Sequence, residues 1–460
     1  MGTVVGTVTM TGSNLSQVNT VTSGAVTGPS SINIVGTVWT PNRVSGNVIS
    51  ADFINLPVNT SLEVAGTSLN SVIEIPHLVN GYSSDSSIGI FAYSGAVYDT
   101  YNKRMLIHGG GHGDANPLEN GIYAASYATM NFSRIVDRSP STAYQIYDSS
   151  NNTFITTPGN PSYNAPLLDG RPASIHSYYS DVYLPPNVMG NTNGGFFIGG
   201  YARSVVNLDN NSFSISHWNA LNSADAYYSG RDWSNATSML DGSVIFMPVS
   251  SWFFDKFQPL GFTEATSWAS NSQGKMTSSY ASTVSTPFQH GDSSLVIKMP
   301  GRREIASMWP DTTSSIMVNR LRLGSAVDSA STNWEPYMDT ITLTSSDGSH
   351  NDFTAANLSN INALTYSGTS NLTNAGCVYD SDLDCLWLMA NQVGGSLYKI
   401  TGLNGTTWTT QYISGVTSLY NGKANGQGVY GRMTLETMYG SKILMRVTSR
   451  DDPIQIVRLS

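Results

Sequence analysis

One unit recurs six times along this chain and limits its possible folds more than any other feature. Short, strongly apolar runs stand at Arg104–His108 (RMLIH), Gly195–Gly199 (GFFIG), Ser243–Met247 (SVIFM), Ser294–Met299 (SLVIKM), Cys385–Met389 (CLWLM) and Lys442–Arg446 (KILMR). Each is preceded, across a turn, by another strand-like run: SGAVYD, SYYSDVYLP, NATSML, ASTVSTPFQ, AGCVYD and RMTLETM. A crossing with glycine or serine follows. The runs are too short for helices and are bounded by turn residues, so they read as paired strands. With Ile107, Ile198, Phe246, Ile297, Leu388 and Leu444 as markers, the intervals are 91, 48, 51, 91 and 56 residues. A period of about 50 residues marks an array of small sheets, none able to bury its faces alone. Each interval of 91 holds either an insertion or one more unit, and Asp137–Pro166 and Ser331–Ser367 are the segments in question.

The first crossing, HGGGHGD at 108–114, contains Gly109, Gly110 and Gly111, which disfavour a helix, so His108 and His112 are not a helical metal pair. An apolar strand, a Gly-Gly crossing and an aromatic third strand together resemble kelch and galactose-oxidase-like β-propellers. The resemblance covers about residues 80–460, through GGGH at 109–112, FFIGGY at 196–201 and LMANQVGG at 388–395. It implies an all-β fold: a six- or seven-bladed kelch-like β-propeller, seven favoured, preceded by a small β-rich N-terminal segment. IQIVRL at 454–459 would be an outer strand, and a strand from near residue 70 would join the last blade and close the ring. Copper-radical chemistry as in galactose oxidase is not expected, because it needs a Tyr–Cys cross-link and the two cysteines, Cys377 and Cys385, sit inside one hairpin.

Composition supports a β-rich globular chain. Hydrophobic residues make up 40% and aromatic residues 10%, enough for a core, while Ser, Thr, Asn and Gly supply turns. A net charge of −9 argues against nucleic-acid binding by bulk electrostatics. No metal or other cofactor is expected, and no run approaches a membrane span. Two free buried thiols are favoured over a cross-strand disulfide between Cys377 and Cys385. The N-terminus lacks a basic and apolar leader, so a secretory signal is not expected. Residues 1–70, rich in Thr, Val, Gly and Ser, read as an attachment or oligomerisation segment, and 71–460 as the propeller domain.

Antiparallel pairing puts the start of each first strand and the end of each second strand at one end of the sheet. In a propeller these ends surround one mouth of the axis. They collect His108, His112, Asp114, His176, Tyr178, Tyr201, Arg203, Tyr228, Arg231, Asp232, Trp252, Tyr280, Arg302, Arg303, Asn374, Asn391, Tyr430, Arg432 and Arg450. Arginine offers a planar fork for carboxylate or sulfate, and tyrosine a stacking face for sugar rings. An anionic saccharide is the natural ligand of such a mouth.

Two functions follow. The first is a phage virion protein of the tail-fibre or tail-spike kind. Its propeller would bind a host-surface glycan through Trp252, Tyr280, Arg302, Arg303, Tyr430 and Arg432. Its partners would be cell-surface or anionic polysaccharide, other tail proteins and further copies of itself, and it would be extracellular in the virion, or else secreted. The second rests on similarity to propeller polysaccharide lyases, including ulvan lyases, in the GGGH loop and the His/Tyr/Arg set. That resemblance implies β-elimination on a uronate. His112 and Tyr178 would form the acid/base pair, and His176 with Arg203 or Arg231 would hold the carboxylate.

Overall fold

The computed structural model describes residues 20–22, 31–33, 56–72, 94–109, 120–140, 146–148, 153–155, 169, 171–172, 177, 179, 181–198, 204–215, 235–238, 244–247, 253–257, 270–275, 295–302, 304–312, 315–322, 337–346, 375–389, 397–414, 416, 429, 431–438, 440–448 and 450–460. Six four-stranded antiparallel units account for most of them. Sheet A is Val97–Asp99, Arg104–His108, Ile122–Ser126 and Asn131–Val136. Sheet B is Val182–Leu184, Gly195–Ile198, Ser204–Asn207 and Ser212–Ile215. Sheet C is Asn235–Ser238, Val244–Met247, Phe253–Phe257 and Ser270–Lys275. Sheet D is Leu295–Met299, Glu304–Thr312, Ser315–Arg322 and Tyr337–Ser345. Sheet E is Gly376–Asp380, Cys385–Met389, Leu397–Thr401 and Thr407–Ile413. Sheet F is Met433–Met438, Ser441–Arg446, Ile454–Arg458 and, from the other end of the chain, Thr60–Val64. Hairpins at Thr20–Thr22 with Ser31–Asn33, and at Ile146–Asp148 with Thr153–Ile155, stand apart from these sheets. Among the described residues no helix is long and apolar enough to cross a membrane.

The turns have a local cause. In VYD of sheet A, Asp99 accepts the backbone N–H of Tyr101 (3.1 Å) and Asn102 (2.9 Å), and Nε of Arg104 at 2.8 Å. In VYD of sheet E, Asp380 accepts the N–H of Asp382 (3.1 Å) and Leu383 (3.2 Å), and Nε1 of Trp387 at 3.1 Å. Each aspartate thus satisfies a turn and ties it to the second strand.

Neighbouring sheets meet through their first strands: those of A and B, B and C, D and E, and E and F lie side by side. Their faces then stack, giving a propeller-like body. Met105, Ile107 and Tyr123 of sheet A pack on Val64, Met445 and Ile456 of sheet F. Leu106 and Ala124, on the opposite face of A, pack on Phe196, Ile198 and Val206 of sheet B. Trp387 and Met389 of sheet E meet Met433, Leu444 and Val457 of sheet F. Apolar residues on both faces explain why the second strands read as continuous hydrophobic runs.

Three features differ from the sequence expectation. Among the described residues SLVIKM is the first strand of its sheet, paired with EIASMWPDT, where a second strand was expected. It is as apolar as the second strands because its neighbours bury Leu295, Val296, Ile297 and Met299. Next, the outer strands of D and E pair in parallel, Thr342–Ser345 with Thr407–Thr410, so the two units form one nearly closed eight-stranded sheet. Finally, the strand that completes sheet F is Thr60–Val64, a few residues ahead of the position near 70 expected for it.

Cys377 and Cys385 are free and buried. Cys377 stands opposite Leu388, whereas Cys385 stands opposite Asp380. The register therefore places them on opposite faces of sheet E, where no disulfide can form between them.

Candidate functional site

The lead-ins to the first strands converge on the axis and are tied together by polar groups. Arg432, 1% exposed, donates to the carbonyl oxygens of Ser94 in sheet A's lead-in, of Val447 (3.3 Å) and of Thr448 (3.4 Å). Ser94 Oγ donates to His108 O at 2.6 Å, joining the first and second strands of A. Gly95 N–H donates to Ser177 Oγ (3.0 Å), and Ser177 Oγ donates to Asp181 Oδ2 (2.8 Å), joining A to B. Lys298 Nζ of sheet D donates to Asp181 O at 2.7 Å, crossing from D to B. A continuous polar chain thus runs through sheets F, A, B and D.

Tyr179 fills the space between them. Its ring lies against Gly431, whose φ of +84° and closeness to Ala96 O leave no room for a Cβ. Its hydroxyl has Val296, Cys377 and Arg432 as electrostatic neighbours, so the side chain reaches from B to D, E and F. Burial, the largest influence, pushes that hydroxyl far above its ordinary range and keeps it protonated. Burial also lowers the Lys298 amine to about 8, against the opposing pull of Asp181. His108, 1% exposed, falls to about 3 through burial, and its Nε2 has no hydrogen-bond partner among the described residues.

Arg432 does stand at the mouth, but its guanidinium is committed to carbonyls that bind sheet F to sheet A. Arg302 does not stand there. It occupies the turn between the first and second strands of sheet D, at the opposite end, because SLVIKM is a first strand. There it donates to Asp384 at 2.7 and 2.9 Å, Glu304 at 3.1 Å and Leu403 O at 2.9 Å, linking D to E. His112, His176, Tyr178, Arg203, Arg231, Trp252, Tyr280, Arg303 and Tyr430 lie outside the described residues. Ser177, Tyr179, Asp181 and Lys298 were not singled out from the sequence. A lone lysine inside SLVIKM was the available signal, since a charge in a buried strand needs a partner. Among the described residues no group of three or more His, Cys, Asp or Glu side chains is placed to hold a metal ion.

No family model and no curated protein matches this chain. Solved structures with similar coordinates include a mutant α-L-arabinofuranosidase from Fusarium graminearum in complex with an iminosugar inhibitor. The match has 9% identity and a TM-score of 0.34, and covers 80% of this chain and 93% of that one. YCF48 from Cyanidioschyzon merolae matches at 11% identity and a TM-score of 0.31, over 80% of this chain and 97% of that one. A mutant NanB sialidase from Streptococcus pneumoniae matches at 10% identity and a TM-score of 0.29, over 80% of this chain and 55% of that one.

Proposed function

We propose that this chain is a glycan-binding virion protein of the phage tail-fibre or tail-spike type. Its head is a six- or seven-bladed kelch-like β-propeller, and an anionic host-surface polysaccharide is its ligand. One observation carries this reading. The lead-ins of sheets F, A and B and the first strand of D are tied together by Arg432, Ser177, Asp181 and Lys298, which makes the starting ends of these strands a rigid base. In the sequence, His112, His176, Tyr178, Arg203, Arg231, Trp252 and Tyr430 fall ahead of first strands or between second and third strands of sheets A, B, C and F. Arginine, histidine and aromatic residues in these stretches of the sequence suit recognition of a charged sugar chain. Residues ahead of the closing strand would serve as the attachment arm.

The test is a binding screen of the purified chain against neutral, uronate-containing and sulfated polysaccharides, with R203A and R231A variants alongside. Salt-sensitive binding to anionic members, weakened at least about tenfold by the variants, is the expected result. Absence of binding across the panel overturns the proposal. A rise in ultraviolet absorbance from unsaturated uronates would replace simple binding by β-elimination.

A further inference from the structure

Arg432, Ser94, Ser177 and Asp181, the other side chains of the polar chain through sheets F, A, B and D, are at most 1% exposed; Lys298 alone still reaches solvent. It does so although Leu295, Val296, Ile297 and Met299 of the same strand are buried. Its Cα lies one residue before the end of sheet D's first strand, close to the turn. Its Nζ nevertheless donates to Asp181 O at 2.7 Å, and Asp181 immediately precedes sheet B's first strand. The side chain therefore runs back along the strand, and the ammonium lies at the starting ends of the first strands, in the rigid base of the mouth.

An ammonium carries three N–H donors, and Asp181 O takes one of them. Among the described residues Lys298 has no other hydrogen-bond acceptor. Asp181 is the acid that acts on the amine, and its Oδ2 already accepts Ser177 Oγ at 2.8 Å. The charges of the base do not cancel. Arg432 and Lys298 each bring a positive charge and Asp181 a negative one. His108, Tyr179 and Cys377 bring none, because burial holds the imidazole neutral and keeps the hydroxyl and the thiol protonated. These side chains sum to one positive charge. A partly buried cation with spare donors is stabilised when an anion reaches it.

We propose that Lys298 anchors an anion subsite in the base of the mouth, where a carboxylate or sulfate group accepts the spare N–H donors. That the group belongs to a saccharide rests on the function proposed above; the subsite itself does not. NMR of the full chain, isotopically labelled at lysine Cε, tests it. The lysine amines are titrated at constant ionic strength in chloride, inorganic sulfate, free glucuronate and a uronate-containing oligosaccharide. The Lys298 signal is identified by its loss in K298R or K298M. Its titration midpoint, about 8 without a bound anion, is expected to rise by about 0.5 or more, and to saturate, in sulfate and glucuronate but not in chloride, because binding favours the protonated amine. A stronger response to the oligosaccharide than to free glucuronate supports a saccharide as the source; an equal response supports the subsite and overturns that source. A midpoint that none of these anions moves, or a rise shared equally by Lys103, Lys399 and Lys442, overturns the subsite. The polysaccharide screen is read separately, and its failure leaves the sulfate result standing.

Discussion

At the residue scale, the buried polar groups decide how the axis responds to pH. His108 keeps its imidazole neutral in the folded state down to about pH 3, because burial disfavours the charge. In the unfolded chain it takes up a proton near its ordinary pKa of 6.5. Between these values the unfolded state binds more protons, so stability falls as pH falls from about 6.5 to 3. We expect H108Q to flatten this part of the stability curve by on the order of a few kcal/mol, read by urea titration at successive pH values. If the variant keeps the wild-type slope, other groups set the acid response. Lys298 acts in the same direction at higher pH. Its folded-state amine titrates at about 8, against 10.5 when free, so it contributes a rise in stability with pH across that window. Arg432 holds three carbonyl oxygens, and R432K supplies a shorter donor set without the planar fork. Leaving buried carbonyls unpaired costs about 1–3 kcal/mol each, so R432K should lower stability by at least about 2 kcal/mol. A denaturant melt of the variant measures this. Arg432 was legible as a mouth residue from sequence, but its carbonyl partners were not. A guanidinium suits a sugar acid and a ring of backbone oxygens equally well, and only the fold says which it meets.

At the element scale, five of the six strand pairs were legible because apolar runs, polar turns and glycine crossings repeat in a fixed order. The repeated VYD is the clearest case: the aspartate that ends the first strand also builds the turn. Sheet D escaped this logic. Its first strand is as apolar as any second strand, while its second strand carries Glu304, Ser307 and Pro310. Glu304 has a neighbour that composition does not reveal: Arg320 Nη1 lies 3.7 Å from its carboxylate. Arg320, fully buried, bonds Asp339 at 2.6 Å and lies 5.9 Å from the Trp408 ring of sheet E. The parallel pairing of D with E was equally hidden, since alternation reports which face is buried and not which edge finds a partner. Register also settles the cysteines. Cys377 is pushed well above the thiol range and Cys385 up to about 11, both chiefly by burial. Neither thiolate is available near neutrality. Both thiols should resist alkylation in the folded protein, react fully in denaturant, and stay unlinked after mild oxidation. An intact-mass measurement showing a Cys377–Cys385 bond would contradict the register.

For the whole molecule, the closing strand is what joins the two ends of the chain into one body. Thr60–Val64 pairs through five positions with Ile454–Arg458, and Thr67 Oγ accepts the N–H of Ile454 at 3.0 Å. Val64 and Leu69 are buried in the core shared by sheets F and A. Burying two such side chains contributes about 3–6 kcal/mol, before the strand's hydrogen bonds are counted. That is comparable with the roughly 5–15 kcal/mol that separates most folded domains from their unfolded chains. Removing the strand would also uncover the edge of Ile454–Arg458 and open the seam where Ile107 and Tyr123 pack on Met445 and Ile456. A chain beginning at Leu56 should therefore melt cooperatively within a few degrees of the full protein. A chain beginning after Thr67 should lose most of its stability and expose amides first in sheets F and A. Thermal melts followed by hydrogen exchange distinguish these outcomes. Equal stability of the two truncations would show that the seam between F and A holds without its fourth strand, and that this strand is not what keeps the body together.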